Sequence, residues 1–196
     1  MALGMETALT AREASFVADV DYGKVTKAFE NHRVTTVANL PRQRTLDLRG
    51  TFELAVAERL KHYPAPVRKR IEGKVADAIR DADGLSEVED VDHTEHCVVT
   101  TFKSSELAKL VTERLAKIER IRELIVMDED VQGGAPTFKG TRVLVRHVAG
   151  LVHNKVDRRE IAEDFPRITD EMIELAVLFD RLYPQRGRPL GKGRDV

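Results

Sequence analysis

The feature that most constrains the fold of this 196-residue chain is a glycine-rich segment near its C-terminal end. The segment reads Gly133-Gly134-Ala135-Pro136-Thr137-Phe138-Lys139-Gly140-Thr141-Arg142-Val143. Glycine adopts positive φ angles that other residues disfavour, so we expect Gly133, Gly134 and Gly140 to use this freedom or to allow close backbone approach. With Thr141 and Arg142 they form a structural motif. The strand-like residues before Gly140 predict a hairpin, or a strand exchanged with a second copy.

Three helical patterns follow the glycine-rich segment. They cover Val145 to Val152, Asp157 to Phe165 and Thr169 to Tyr183. The last pattern has carboxylates in its first turn and mostly apolar residues after them. Because carboxylates repel phosphates and apolar faces need protein cover, this helix is predicted to pack in a core or a dimer interface and not to enter a DNA groove.

Two short helices are predicted near the N-terminus. Thr10-Ala11-Arg12-Glu13 has the pattern of a capping box, and Asp21 is expected to cap a second helix from Tyr22 to His32. Two short helices joined by a tight turn are typical of a helix-turn-helix, although a solvated helical hairpin has the same pattern. On the DNA-binding interpretation, the residues offered to phosphates and base edges are Arg12, Tyr22, Lys24, Lys27, Asn31 and Arg33.

The middle of the chain predicts further helices and strands. These are a strand from Gln43 to Arg49 ended by Gly50, a helix from Thr51 to His62, a helix from Pro64 or Pro66 to about Ala82, an acidic loop from Asp81 to Asp92, a strand from His96 to Phe102 and a helix from Glu106 to about Leu124. The expected fold class is mainly α (α+β). We expect an N-terminal helix-turn-helix region with short strands over residues 1–122, a glycine-rich β element with a three-helix domain over 123–183, and a flexible basic tail over 184–196.

Composition limits the classes of function. The formal charge of −1 gives no global attraction to nucleic acid, so any attraction must come from local patches. One cysteine excludes an internal disulfide framework. Neither a signal-peptide pattern nor a run of about 18 apolar residues is present, which favours a cytoplasmic protein without membrane contact.

The sequence contains no recognisable catalytic motif. Lys139 precedes Gly140, whereas a phosphate-binding loop needs its lysine directly after the last glycine. Lys139 and Arg142 therefore either touch phosphates in another way or form surface ion pairs. The cluster His93-Thr94-Glu95-His96-Cys97 matches no standard zinc spacing, and a buried Cys97 with exposed histidines is the simpler interpretation. We expect no enzyme activity, no cofactor and no metal; a small metal- or nucleotide-dependent enzyme is the disfavoured alternative.

The C-terminal third resembles the bacterial domain of unknown function 433. The matching residues are Val126-Met127-Asp128, Gly133-Gly134-Ala135-Pro136, Lys139-Gly140-Thr141-Arg142-Val143 and the stretch from Glu160 to Thr169. The chain departs from the family pattern at Glu129 and Leu144, where proline is usual, and at Phe165, where tyrosine is common. The preceding two-thirds also resembles the longer members, which carry an N-terminal helix-turn-helix and end in an Arg-Gly-Arg-Pro tail.

This resemblance implies a function. Such proteins are similar to VapB-like antitoxins of type II toxin–antitoxin systems, whose partner is usually a PIN-like ribonuclease encoded beside them. The implied protein binds and inhibits that toxin and represses its own operon, as a homodimer or higher oligomer on operator double-stranded DNA. A stand-alone DNA-binding transcriptional regulator without a toxin partner is the alternative.

The basic tail allows two functional interpretations besides a solvated end. Arg186-Gly187-Arg188-Pro189 matches the core of AT-hook peptides, which place arginines in the minor groove. Alternatively, an arginine, with Arg188 as the candidate, enters the carboxylate-lined metal centre of the nuclease and displaces the ion. Given the family, we favour nuclease capture. The candidate toxin-binding residues are Phe179, Leu182, Tyr183, Arg186, Arg188, Lys192 and Arg194.

Overall fold

The computed structural model describes residue 5 and residues 7–30, 45–82, 84–95 and 98–184. The chain divides into two compact units, Met1–Ile118 and Glu119–Val196. The domain assignment made from the sequence, with a boundary at residue 122, stays a prediction. The predicted fold class is confirmed, because the described residues form eight α-helices and only short strands. No helix in these residues is long and apolar enough to cross a membrane.

The first unit is built from helices with two small antiparallel sheets. Its elements are β1 (Leu9–Thr10), α1 (Ala11–Ala18), α2 (Tyr22–Glu30), β2 (Thr45–Leu46), α3 (Leu48–Arg59), α4 (Ala65–Asp81), a 3₁₀ turn (Leu85–Glu87), β3 (Val91–Glu95) and β4 (Val98–Phe102). The long helix α5 (Ser104–Leu124) begins in this unit and ends in the second. Strand β1 pairs with β2, and β3 pairs with β4.

Helix caps and apolar spacing explain the core of the first unit. The predicted capping box is confirmed: the Glu13 N–H donates to Thr10 Oγ1 at 3.4 Å, and the Thr10 N–H donates to the Glu13 carboxylate at 2.7 Å. Helix α1 packs against α2 and α3, and α4 packs against α3 and β3. The fully buried side chains include Val17, Val25, Phe52, Leu60, Ile71, Val75, Ile79, Leu115 and Ile118.

The predicted strand from Gln43 to Arg49 is wrong in its C-terminal part. Asp47 caps α3 by accepting a hydrogen bond from the Gly50 N–H at 2.7 Å. Gly50 therefore lies in the first turn of a helix and does not end a strand. The alternation of apolar residues that predicted the strand is short. The cap that Asp47 forms with the Gly50 amide, three residues later, favours a helix start here instead.

Strand β3 lies partly in the predicted acidic loop from Asp81 to Asp92. Val91 and His93 point inward, and Asp92 and Thr94 point outward. The expectation of exposed histidines is wrong for His93, which is only 5% exposed. The charged residues of this segment made it resemble a loop, so the two-residue alternation of a strand was not recognised in the sequence. His96 and Cys97 lie outside the described residues.

The helices of the second unit agree closely with those predicted from the sequence. Its elements are β5 (Ile125–Val126), a 3₁₀ turn (Gln132–Gly134), β6 (Thr137–Phe138), α6 (Val145–His153), α7 (Arg158–Asp164) and α8 (Asp170–Leu182). The three predicted helices are confirmed, with Asp157 and Thr169 capping α7 and α8. Helix α8 packs against α6, and its Ile173, Leu175, Ala176, Phe179 and Leu182 are buried, as expected for a core helix.

Candidate functional site

The turn between α1 and α2 is held by two arginines. Asp19 ends α1 with φ 59°, an angle that is uncommon for a residue other than glycine. Its carboxylate lies 3.3 Å from Arg114 Nη1 and 3.8 Å from Arg59 Nη2. Arg114 also donates to the Phe16 carbonyl oxygen at 3.2 Å. These contacts join the C-terminal end of α1 to α3 and α5.

Two of the candidate DNA-binding residues meet at the N-terminal ends of α1 and α2. The guanidinium carbon of Arg12 lies 4.9 Å from the centre of the Tyr22 ring. This is the geometry of a cation–π contact, which orients the guanidinium without neutralising its charge. Tyr22 is 44% exposed, so the pair forms a cationic, partly aromatic surface.

The two candidate lysines of α2 have different surroundings. Lys24 Nζ lies 2.7 Å from Glu58 Oε2, and Lys61 Nζ lies 2.6 Å from Glu58 Oε1. Hydrogen bonds from Lys24 and Lys61 lower the pKa of Glu58. Lys27 is exposed and forms no ion pair with any other described residue. One of the two lysines is therefore already paired inside the protein.

A groove of about 720 Å³ lies between α2, α3 and α4. Its lining combines Lys24 and Lys27 with Glu53, Glu58 and Glu72, and with the apolar Val20, Ala28, Leu54, Val56, Ala57, Val75 and Ala76. Burial raises the pKa of Glu53, and the charge of Asp47 acts in the same direction. Three carboxylates beside two lysines weaken the attraction of this face for a polyanion. Sequence reasoning missed this feature, because helices later in the chain supply the carboxylates.

The remaining candidate DNA-binding residues, Asn31 and Arg33, lie outside the described residues. Of the six predicted positions, the structure therefore describes Arg12, Tyr22, Lys24 and Lys27. It brings Arg12 and Tyr22 together in the cation–π pair and places both lysines at the groove. The prediction that these residues bind DNA stays a prediction.

The expected backbone of the three motif glycines is confirmed. Gly133, Gly134 and Gly140 have φ angles of 63°, 78° and 75°. Gly140 is the third residue of a turn closed by the Thr141 N–H, which donates to the Phe138 carbonyl oxygen at 3.0 Å. A turn with positive φ at its third residue favours glycine there. The chain then folds back, since the Phe138 N–H donates to the Val143 carbonyl oxygen at 3.2 Å; strand exchange stays a prediction.

The side chain of Thr141 stabilises this turn on both sides. Its hydroxyl donates to the Phe138 carbonyl oxygen at 2.9 Å and accepts from the Val143 N–H at 3.1 Å. Lys139 and Arg142 are exposed beside it, and neither forms an ion pair within the described part of the chain. Thr141 therefore has a structural role, and the two cations leave a positive surface at the tip of the turn.

Arg146 connects α6 to the C-terminal end of α8. Its guanidinium donates to the Asp180 carboxylate and to the Tyr183 carbonyl oxygen, and lies 5.6 Å from the centre of the Phe179 ring. A cation at a helix C-terminus stabilises the last carbonyl groups of that helix.

The candidate toxin-binding residues are unequally accessible. Phe179 and Leu182 are each 4% exposed, so their side chains belong to the core of the second unit and offer little surface to a toxin. Tyr183 is half-buried, with its ring 4.8 Å from that of Phe179. Arg186, Arg188, Lys192 and Arg194 lie outside the described residues. Their assignment as toxin contacts stays a prediction.

Residues that could bind a metal ion do not form a cluster in the parts of the chain that the structure describes. No group of three or more histidine, cysteine, aspartate or glutamate side chains there is arranged to hold a metal ion. His93, the described histidine of the candidate cluster, is buried on β3.

Comparison with known proteins assigns the C-terminal part to a class. Residues 125–179, from β5 into α8, match the model of DUF433, described as a protein of unknown function. The resemblance of this part of the chain to DUF433 is thereby confirmed. The match covers the glycine-rich turn and the three helices that follow it.

Two particular proteins are similar to longer parts of the chain. "Uncharacterized protein y4eO" of Sinorhizobium fredii (strain NBRC 101917 / NGR234) is 32% identical over 97 residues, which are 50% of this chain and 44% of that protein. The match thus spans less than half of that relative. The crystal structure of Rv2018 from Mycobacterium tuberculosis covers 89% of this chain and 100% of its own, at 15% identity and a TM-score of 0.39. Neither the family model nor y4eO is described as an enzyme.

Proposed function

We propose that this chain is the antitoxin of a type II toxin–antitoxin system. It binds and inhibits a PIN-like ribonuclease and represses its own operon by binding operator DNA. The observation that carries the proposal is the combination of two parts in one chain: a helix pair with an exposed cationic end, and a DUF433 segment at residues 125–179. Both activities require a binding surface and no catalysed reaction, which agrees with the lack of a recognisable catalytic motif in the sequence.

DNA binding is proposed to rest on the Arg12–Tyr22 end of the helix pair together with Lys27, which lies at the groove. Arg12 and Tyr22 lie at the N-termini of α1 and α2, and the exposed Lys27 adds a positive charge that has no ion-pair partner among the described residues. Helix N-termini and cationic side chains are the usual ligands of backbone phosphates. Two such helix pairs in a dimer would match two half-sites on an operator.

Toxin inhibition is proposed to depend on the basic tail. PIN-like nucleases hold their metal with carboxylates, and an arginine pairs with a carboxylate through two parallel hydrogen bonds. Arg188 is the proposed residue for this contact, with Arg186, Lys192 and Arg194 beside it in the sequence. Such an interaction needs no preformed pocket on this chain.

Growth rescue tests the toxin part of the proposal. The gene beside this one is expressed alone and together with the full chain in a heterologous bacterium. We expect growth arrest from the neighbour alone and normal growth with both. A harmless neighbour, or one that stays toxic in the presence of this chain, would contradict the proposal.

Substitution of Lys27 tests the DNA part. The probe is the duplex that lies directly upstream of the gene. Lys27→Ala is expected to weaken binding about threefold to tenfold, because one phosphate contact is lost. Lys69→Ala is the matched control, since Lys69 is an exposed lysine on α4 without an ion pair in the described residues. Equal effects of the two variants would show that only overall charge matters.

A stand-alone transcriptional regulator remains the second candidate. The burial of Phe179 and Leu182 favours it, because the last helix then offers less surface to a toxin. The two candidates differ in one result: a regulator binds the upstream duplex but has no toxic neighbour to neutralise.

A further inference from the structure

The hairpin of β3 and β4 has one covered edge and one open edge. The two strands form a sheet of their own. Helix α4 packs against β3, and Lys74 Nζ donates to the Asp92 carbonyl oxygen at 2.6 Å. Strand β4 is paired only with β3 in the described part of the sheet. Two-stranded sheets are marginal alone, and an open edge is a template for another strand.

The open edge lacks the usual protections against pairing. Strand β4 reads Val98-Val99-Thr100-Thr101-Phe102, which contains no charge, no proline and no glycine. Its pairing with β3 is continuous over five residue pairs, without a bulge. Val99 is 60% exposed, and Thr101 is exposed as well. Native edge strands normally carry lysine, proline or a bulge to prevent association.

Two charged residues near this edge have hydrogen-bond partners within the described residues. The Thr101 hydroxyl donates to Asp92 Oδ1 at 2.6 Å, and Lys103 Nζ lies 2.9 Å from Asp90 Oδ2. The side chains of β4 itself are uncharged and rich in β-branched residues, with the Asp92 carboxylate beside Thr101 on the neighbouring strand. This edge is suited to a strand that is also uncharged.

Backbone geometry shows which groups of β4 face outward. The Asp92 carbonyl group is turned toward Lys74 on α4 and so away from β4. In an antiparallel ladder, the residue opposite such a residue also turns its N–H and C=O away from the shared side. Thr101 is opposite Asp92, and Val99 is two residues earlier and equivalent. The backbone groups of Val99 and Thr101 are therefore available on the open edge.

We propose that β4 pairs antiparallel with β4 of a second copy of this chain, around a two-fold axis through Thr100. Val99 then lies opposite the partner's Thr101, and each such pair exchanges both backbone hydrogen bonds. The two hairpins become one four-stranded sheet. Val–Thr neighbours on the outer face are favourable cross-strand pairs.

A second copy fits this edge better than an unrelated partner. The register around Thr100 is self-complementary, as a two-fold interface requires. A strongly charged partner strand would find no counter-charge on β4, whereas a second β4 brings the same uncharged side chains. A single five-residue strand pair buries less than the roughly 1,200 Å² of a typical stable interface. We therefore expect a dimer that dissociates on dilution.

Sedimentation of the full chain from high to low micromolar concentration tests the proposal, with no toxin or operator present. The wild-type chain is expected to change from dimer to monomer. Val99→Lys should raise the dimer dissociation constant about tenfold or more, because two lysines then meet near the two-fold axis. Thr94→Lys is the matched control: Thr94 is exposed and directly opposite Val99, but one strand farther from the axis.

Amide hydrogen exchange supplies a readout at the edge itself. Exchange at Val99 and Thr101 should slow as the wild-type chain becomes dimeric, and this protection should be lost in Val99→Lys. Circular dichroism verifies that both lysine variants are folded. A wild-type chain that is monomeric throughout, a Val99→Lys dimer as stable as the Thr94→Lys dimer, or a dimer with unprotected edge amides would each overturn the proposal. The proposal would also be overturned if the edge amides of β4 became protected from exchange only after a co-encoded nuclease was added.

The outcome is distinguishable from that of the proposed function. Self-pairing through β4 can hold in a chain that binds neither DNA nor toxin. Equally, a monomer that neutralises its toxin would overturn the edge pairing and leave the antitoxin proposal standing.

Discussion

Backbone angles at three glycines determine how the chain turns between β5 and α6. Gly133, Gly134 and Gly140 all have positive φ. No atom outside their immediate neighbours lies within 4 Å of a Cβ built at Gly133 or Gly140. Space is therefore not what restricts these two positions; the backbone conformation is, because a Cβ in the left-handed region approaches the following carbonyl oxygen.

Substituting Gly140 tests this explanation. Gly140→Ala is expected to lower the free energy of unfolding by about 1–2 kcal/mol, the penalty of a left-handed alanine. Gly150→Ala is the control: Gly150 lies within α6, has no positive φ and has open space at its Cβ, so alanine should stabilise by up to about 1 kcal/mol. Denaturant unfolding followed by circular dichroism measures both. A neutral Gly140→Ala would contradict the argument from strain.

Glu58 is the residue that decides whether Lys24 is available to DNA. Its two carboxylate oxygens are occupied by Lys24 and Lys61. Phosphate oxygens would have to replace Glu58 as the partner of Lys24. The carboxylate therefore competes with any duplex that approaches α2.

Neutralising Glu58 should strengthen DNA binding. Glu58→Gln is expected to raise affinity for the upstream duplex about threefold to tenfold, because Lys24 loses its charged partner. Glu163→Gln makes the same change in net charge on an exposed side chain of α7. Fluorescence anisotropy compares the two variants. If both tighten binding equally, only net charge matters and competition for Lys24 is excluded.

At the scale of elements, Asp90 joins the β3–β4 hairpin to the start of α5. Its Oδ1 accepts hydrogen bonds from the Ser105 hydroxyl at 2.7 Å and from the Ser105 N–H at 3.1 Å. It thus satisfies a free amide in the first turn of α5 from outside the helix. Hydrogen bonds from Ser105 and Lys103 lower the pKa of Asp90 from 3.8 to about 2.

This shift gives the stability of the hairpin a defined pH dependence. Because the folded-state pKa is depressed, the stabilisation is present above pH 3.8 and is lost as the pH falls toward 2. Asp90→Asn should lower the melting temperature at pH 7, and the deficit should shrink in this acidic window. Asp77→Asn, at a largely exposed pair with Arg80, should change little. NMR titration measures the Asp90 pKa directly; an ordinary value would contradict the role of Ser105.

Local signals predicted much of the element pattern, and distant contacts explain what they missed. The Thr10–Glu13 box and the Thr169 cap are each formed by residues three apart, so the sequence contains the whole interaction. The pairing of Lys24 with Glu58 joins α2 to α3, between residues that are 34 positions apart in the sequence. No periodicity encodes such a contact, which is why Lys24 was predicted to face DNA without its carboxylate partner.

At the scale of the whole molecule, the proposed roles are distributed along the chain. DNA contacts are assigned to Arg12, Tyr22 and Lys27 in the first unit. The residues assigned to toxin binding follow or end α8, and the two most apolar of them are buried. We therefore expect the tail to contribute more to toxin binding than Phe179 and Leu182.

Deleting residues 184–196 tests this division. If the tail enters the nuclease centre, the shortened chain should fail to rescue growth and still bind the upstream duplex with wild-type affinity. If the tail acts as an AT-hook, DNA binding should fall and rescue should persist. Growth assays and anisotropy on the same variant separate the two. Retention of both activities would contradict both roles of the tail.

The pairing of Glu58 with two lysines also bears on how DNA binding depends on ionic strength. A lysine that moves from a carboxylate to a phosphate releases a cation from DNA, and Lys61 stays beside Glu58 to neutralise the carboxylate that Lys24 leaves. No cation is therefore taken up in return, so Lys24 contributes the slope of about 0.9 that an unpaired lysine does. If this protein binds its operator through Lys24, the cost of breaking the pair with Glu58 should weaken the affinity without reducing its response to the potassium level of the cell.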